Sequence, residues 1–277
     1  ALKRLHADHP DETELVELGR SHQGRPIWAL HIQDPKAKNT VPVLIDAAHH
    51  GSELLSVLYA LDVAQTVLEE KDDSWRSTLD LWVVPLVNPD GNHTFLFQTH
   101  WAGRKNGRDV DGDGTVGPWE GVDLNRNYPF RFSALGESGS RSYPLHYWYR
   151  GPTGGSEPEV QAMMALADRV HFSAALSFHT LGTIILSPYT IDGVDNPSPD
   201  VAWPLAKRMA SAAGVQVNGK AYRVKRKIYP VDGTSQDWLY HAHGTVAYIV
   251  EGTHHNPKTT ATRSASVEGM RPLYRTF

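Results

Sequence analysis

Along this chain, short and mostly apolar runs alternate with longer segments whose apolar positions recur at helical spacing. Val41–Ala48 is almost wholly apolar and reads as a buried strand, followed by an amphipathic helix from about Ser52 to Glu70. Leu79–Val87 is a second such run, ended by Asn88-Pro89-Asp90-Gly91, which reads as a turn. Two regions without clear periodicity follow, 88–128 and 132–157. Beyond them the pattern predicts a helix near Glu157–Val170, strands at Ala174–Phe178 and Thr183–Leu186, and a helix at Ala202–Ala213. A basic segment then reaches Lys227, and a short helix near Ser235–His241 and a strand at Thr245–Val250 complete the core. Continuous apolar strands between amphipathic helices indicate an α/β sheet covered on both faces. Neither a repeat nor a flexible linker divides the chain, so residues 1–277 read as a single domain.

Composition narrows the class. Hydrophobic residues make up 40% and charged ones 21%, which excludes disordered and fibrous chains. No apolar run is long enough to span a bilayer, and no membrane association is expected. With 27 basic against 31 acidic residues and no like-charged block, nucleic acid is excluded as a partner. The chain contains 0 cysteines, so any metal must sit on His, Asp or Glu. It opens at Ala1 without an initiator Met or a charged-then-apolar leader, which suits a processed product and a secreted or periplasmic setting.

Ligands of open α/β sheets gather beyond the carboxyl ends of strands. Three residues able to bind a metal or move a proton follow such ends: His50, His179 and Glu251. Glu53 lies one turn beyond His50, where Gly51 permits a tight start to the helix. His50, Glu53 and His179 together would give two imidazoles and a carboxylate, a set that holds zinc with one position open for water. A surface or hydrogen-bonded role for each His stands beside this reading. Glu251 directly follows an apolar strand, where a carboxylate is expensive to bury without a partner.

The segments His50-Gly51-Ser52-Glu53, Asn88-Pro89-Asp90-Gly91, Val122-Asp123-Leu124-Asn125-Arg126-Asn127, Ser177-Phe178-His179, Ile228-Tyr229 and Ile249-Val250-Glu251 resemble, in order, the signatures of the zinc metallocarboxypeptidases related to carboxypeptidases A and B. Leu18-Gly19-Arg20-Ser21 and Gly24-Arg25-Pro26-Ile27 are similar to that family's first strand pair, and Asp237-Trp238 falls where a like pair occurs. The resemblance implies a mixed, twisted sheet of about eight strands with helices on both faces, one Zn²⁺, and hydrolysis of the C-terminal peptide bond. It assigns the zinc to His50, Glu53 and His179, and the role of general base to Glu251. Asn125, Arg126 and Tyr229 correspond to residues that grip the substrate carboxylate, Asp123 to a carboxylate orienting the first ligand His, and Gln236 to the floor of the pocket for the last side chain.

The resemblance leaves a catalytic arginine open. Trp101-Ala102-Gly103-Arg104-Lys105-Asn106-Gly107-Arg108 matches the family's Trp-Arg segment only with a shift, so Arg108 is the preferred candidate and Arg104 the other. Separately, Asp109, Asp111, Asp113, Thr115 and Glu120 fit the spacing of a calcium loop, although Pro118 argues against flanking helices; an acidic turn is the alternative. Gln236 favours neither a basic nor an apolar C-terminal residue, and Arg223, Lys225, Arg226 and Lys227 read as a solvated basic face or a bias toward acidic peptides. A monomeric exopeptidase acting on peptides is the leading expectation. The alternative is a peptidoglycan-directed amidase or D-glutamyl-diaminopimelate peptidase acting on muropeptides.

Overall fold

The computed structural model describes residues 1–70, 75, 77–99 and 102–277, which form an open eight-stranded sheet with helices on both faces. β1 (Thr13–Arg20) pairs antiparallel with β2 (Pro26–Ile32), whose other edge meets β4 (Leu79–Val84), again antiparallel. The centre is parallel, with β4 beside β3 (Val41–Ala47), then β5 (Ala174–His179), then β8 (Val246–Glu251). β6 (Ile184–Leu186) runs antiparallel to β8, and β7 (Arg223–Lys225) adds to it in parallel. The mixed sheet is therefore ordered β1-β2-β4-β3-β5-β8-β6-β7.

Strand alternation divides the core into two layers. Val43, Ile45, Leu81, Val83, Leu176, Phe178, Tyr248 and Val250 meet α2 (Leu54–Glu69), α5 (Ala202–Ala213) and α7 (Thr260–Thr276). Leu44, Trp82, Val84, Ala175 and Ala247 pack against α4 (Pro158–Val170) and α6 (Ser235–His243). His179 and Glu251 continue the second set along β5 and β8, and the register pairs them directly at the strands' carboxyl ends. Thus the periodicity that buries the core also delivers two chemical groups side by side.

The Asn88-Pro89-Asp90-Gly91 segment corrects the sequence expectation of a turn, because it begins α3 (Pro89–Phe97). Asn88 caps that helix, its side chain accepting from the Gly91 amide at 2.8 Å, and Pro89 occupies the first turn, where a missing N–H is harmless. β4 stops at Val84, ahead of Pro85, which has no amide for the ladder. Two terminal helices, α1 (Leu2–Asp8) and α7, were not anticipated, and the basic segment contains β7. No described helix is long and apolar enough to cross a membrane.

Candidate active site

His50 and Glu53 sit in the tight connection from β3 to α2, while His179 ends β5. Nδ1 of His50 is 2.7 Å from Oε1 of Glu53, Nδ1 of His179 is 3.2 Å from Oε2, and the two Nδ1 atoms are 3.2 Å apart. The Thr180 amide also donates to Oε2 of Glu53 at 2.9 Å, holding the carboxylate toward the imidazoles. All three side chains are buried. Burial opposes ionisation of Glu53, yet the His50 and His179 rings hold its carboxyl far below the ordinary range. Burial likewise pushes His179 down to about 4, leaving a neutral ring at neutral pH, against the opposing pull of Glu53.

His50 faces an acceptor on each side, Oδ1 of Asp123 at 3.2 Å from Nε2 and Oε1 of Glu53 at 2.7 Å from Nδ1; a metal taken on Nδ1 would leave the ring proton on Nε2, directed at Asp123. Asp123 is fully buried and held well below the usual carboxyl range, burial being outweighed by Arg104, Arg126 and His50. Ligand atoms on one tetrahedral zinc, with bonds of about 2.0–2.1 Å, stand roughly 3.3 Å from one another. The donor chemistry and spacing of His50, Glu53 and His179 fit that ion.

Around this cluster lies a cleft of about 200 Å³ lined by Arg104, Asn125, Arg126, Tyr229, Gln236 and Glu251 among others. Arg126 is among the largest buried side chains; its Nη1 donates to the Asn125 carbonyl at 2.7 Å and its Nη2 reaches Tyr229 Oη at 3.5 Å. Its Nε has no partner, and among the described residues no carboxylate pairs with the guanidinium. Its charge is felt by Asp123 and Glu251 nearby. Asn125 is held by its Oδ1 accepting from the Ser235 amide at 2.9 Å, and half-exposed Tyr229 stacks on Trp148. Glu251 is partly buried, its inward Oε2 lacks a partner, and its pKa is raised well above normal by desolvation and then by Glu53, with Arg104 and Arg126 pulling the other way.

The two candidate arginines separate. Arg104 reaches Asp123 through Nε at 2.9 Å and Nη2 at 2.8 Å, its Nη1 lies 3.3 Å from Nδ1 of His50, and its guanidinium covers the Tyr147 ring. Arg108, the preferred candidate from sequence, is instead drawn to Glu157 at 2.9 Å and does not line the cleft. That preference is corrected: a buried carboxylate distant in sequence captures Arg108, which no local spacing could reveal. Trp101, used to align this segment, lies outside the described residues.

The calcium set also divides. Oxygens of Asp109, Asp111 and Glu120 come within 4.8 Å of one another, whereas Asp113 accepts from the Thr115 amide and hydroxyl at 2.8 and 2.7 Å, and this pair stays outside that group. Asp109 accepts from the Gly112 and Gly114 amides, and Glu120 from those of Val110 and Gly117, so the loop's own backbone occupies these carboxylates. Among the described residues no α-helix abuts the loop: α3 ends at Phe97 and only a short 3-10 turn, Leu124–Arg126, follows.

Several residues escaped the sequence reading. Thr190 lines the cleft, as does Arg226, which the sequence offered only as part of a basic face or a bias toward acidic peptides. Behind His179, His49 stacks on its ring at 5.7 Å and links Asp46 (3.3 Å) to Tyr128 (2.8 Å). The available signal was Asp46 itself, an acid within an apolar strand.

The zinc carboxypeptidase family profile matches residues 1–262. Metallocarboxypeptidase A of Arthroderma otae is 30% identical over 240 residues, covering 82% of this chain and 55% of the relative. Zinc carboxypeptidase A 1 of Anopheles gambiae is 29% identical over 261 residues, covering 90% of this chain and 57% of the relative. The chain thus spans little more than half the length of these curated relatives. In the solved structures, carboxypeptidase A from Helicoverpa armigera superposes with a TM-score of 0.84 over 99% of this chain and 69% of the other, at 23% identity, a likeness of fold.

Proposed function

Because the chain belongs to the zinc carboxypeptidase family, we propose that it hydrolyses the C-terminal peptide bond of peptides, with Glu251 as general base. One observation carries this reading: the cleft that holds the zinc-fitting trio also holds a buried, carboxylate-free Arg126. An exopeptidase needs both, an electrophile at the scissile carbonyl and a cation at the terminal carboxylate.

Arg126 and Tyr229, with Asn125 alongside, would take the substrate carboxylate, Arg126 supplying planar paired donors. Bound by His50, Glu53 and His179, zinc supplies Lewis acidity toward the carbonyl and a lowered pKa for water. Glu251 takes the proton of the attacking water and delivers it to the departing amine, serving first as base and then as acid. Arg104, beside His50 and braced by Asp123, is placed to meet negative charge developing on the carbonyl oxygen. Asp123 positions both His50 and Arg104 without touching substrate.

Amino-blocked dipeptides test the reading. Cleavage is expected with zinc, not after chelation, and not when the terminal carboxylate is replaced by an amide. Equal cleavage of the amide would sink the anchoring role of Arg126. The muropeptide-directed alternative is less favoured, since the family match and the named relatives are carboxypeptidases. A muropeptide arm in the same assay measures it. The calcium reading draws support from the Asp109, Asp111 and Glu120 oxygens alone. A melting temperature raised by Ca²⁺ over Mg²⁺ would uphold it, and an unchanged melt would remove it.

A further inference from the structure

Resting on that carboxypeptidase reading, we propose that the chain selects C-terminal residues with an uncharged carboxamide side chain, glutamine foremost, through Gln236 and Arg226. Both residues line the same cleft as Arg126, together with the apolar Leu186, Ile228 and Ile249. Each carries a buried polar atom without a partner, Oε1 of Gln236 and Nε of Arg226.

The orientation of the Gln236 amide follows from its neighbours. The Asp237 carboxylate accepts from the amides of Thr190 and Ile191 and, at 2.8 Å, from the Thr190 hydroxyl. That hydroxyl has spent its one proton, so at 2.8 Å from the Gln236 amide it can only accept. Nε2 of Gln236 is thereby fixed on Thr190, and Oε1 is left as an acceptor. Arg226 pairs with Asp200 through its Nη2 and lies over the Trp203 ring at 4.5 Å, so its charge is matched while its Nε–H is left as a donor. The wall therefore offers one donor and one acceptor, the complement of a carboxamide, which offers one of each.

Other side chains fit less well. Among the described residues lining the cleft, Glu53 and Glu251 are the acids, and both are committed to the reaction, so a Lys or Arg side chain finds no counter-ion. A carboxylate would face the Gln236 oxygen across from an arginine already paired. An aliphatic chain suits the apolar walls but leaves both polar atoms unpaired, a penalty that sites built for hydrogen bonding turn into discrimination.

The test is a series of amino-blocked dipeptides ending in Gln, Met, Glu or Lys, assayed with zinc. We expect kcat/KM for Gln to exceed that for each of the others by about tenfold or more. Gln236→Met should move the preference to Met. Arg226→Lys keeps a cation beside Asp200 but removes Nε–H, and should lower the Gln advantage while leaving cleavage of the Met substrate measurable. Free L-glutamine, a product, should also bind more tightly than L-norleucine by calorimetry, a comparison independent of turnover and of how well either variant folds. If every dipeptide is inert with zinc present, the carboxypeptidase reading fails and this inference with it. If substrates are cleaved but Met, Glu or Lys equals or exceeds Gln, the inference alone is overturned.

Discussion

Asp123 contacts two groups at once: one oxygen faces Nε2 of His50, and the other holds Arg104 through a two-nitrogen grip. Replacing it by Asn keeps the shape but not the obligation to accept, so Nε2 of His50 loses its proton anchor. Asp123→Asn is expected to weaken zinc binding by about tenfold to a hundredfold, measured by titration against a competing chelator. Glu251 stands at the opposite extreme, a partly buried carboxylate whose Oε2 has no hydrogen-bond partner. Glu251→Gln is expected to retain zinc by metal analysis and to lose about two to four orders of magnitude in kcat. Retained turnover would remove Glu251 from the mechanism. Much of the site was legible in sequence because strand ends deliver side chains to known places. Arg104 was not, since its selection over Arg108 depends on Asp123 and Glu157, contacts between segments that no spacing within 101–108 records.

At the scale of elements, the loops after β3 and β4 and the segment carrying Arg104 are bound into one unit. The Asn88 side chain donates to the carbonyls of His49 and Arg104 while capping α3, and Asn92 donates to the carbonyl of Gly51. Gly51 admits this approach because it lacks a Cβ; one placed there would lie 2.1 Å from the Asn92 nitrogen and 2.4 Å from the Gly91 carbonyl carbon, both backbone. Gly51→Ala must therefore push α3 away from the ligand loop. We expect a loss of roughly 1–3 kcal/mol or more in denaturant unfolding, together with weaker zinc binding, because His50 is the adjacent residue. An unperturbed unfolding curve would show that α3 does not brace the site. This is also where sequence reading failed: Asn-Pro-Asp-Gly is chemically a turn and equally a helix start, and only the packing of Gly51 against Gly91 decides between them. The central strands were readable because burial on both faces leaves unbroken apolar runs. α7 was not, as its core contacts Met270, Leu273 and Tyr274 are dispersed among charges and a proline.

Across the whole molecule, a second buried polar cluster joins parts distant in sequence and titrates separately from the catalytic cleft. Glu157 and Glu159, at the start of α4, both accept from the Asn106 amide, at 2.9 and 3.0 Å. His22, in the β1–β2 turn, and Arg108 contact Glu157, while Asp90 on α3 is gripped by Ser21 and Arg25 and adds negative charge nearby. Burial raises Glu159 to about 7, with Asp90 adding to the shift and Asn106 and His22 opposing it. Glu157 moves down despite burial, aided by His22, Ser156, Asn106 and Arg108. His22 moves up: burial alone would lower it, but Glu157 and Glu159 prevail. A carboxyl with a raised folded-state pKa, and a histidine likewise raised, stabilise fully below their unfolded values and lose that contribution as pH rises through the folded ones. Glu157 behaves oppositely, losing its contribution only as pH falls below the ordinary carboxyl range. Between about pH 4.5 and 7 the balance within this cluster belongs to Glu159, so the cluster's contribution to stability should decline as pH rises through that window, while His179 in the cleft acts in the opposite sense. Gln mimics the protonated side chain, keeping an acceptor for Asn106 without the charge. Glu159→Gln is therefore expected to match the wild type near pH 4.5 and to exceed it by on the order of 2–3 kcal/mol near pH 7.5, measured as chemical unfolding across pH. A constant difference between the two proteins over the whole window would mean that Glu159 does not bind its proton on folding.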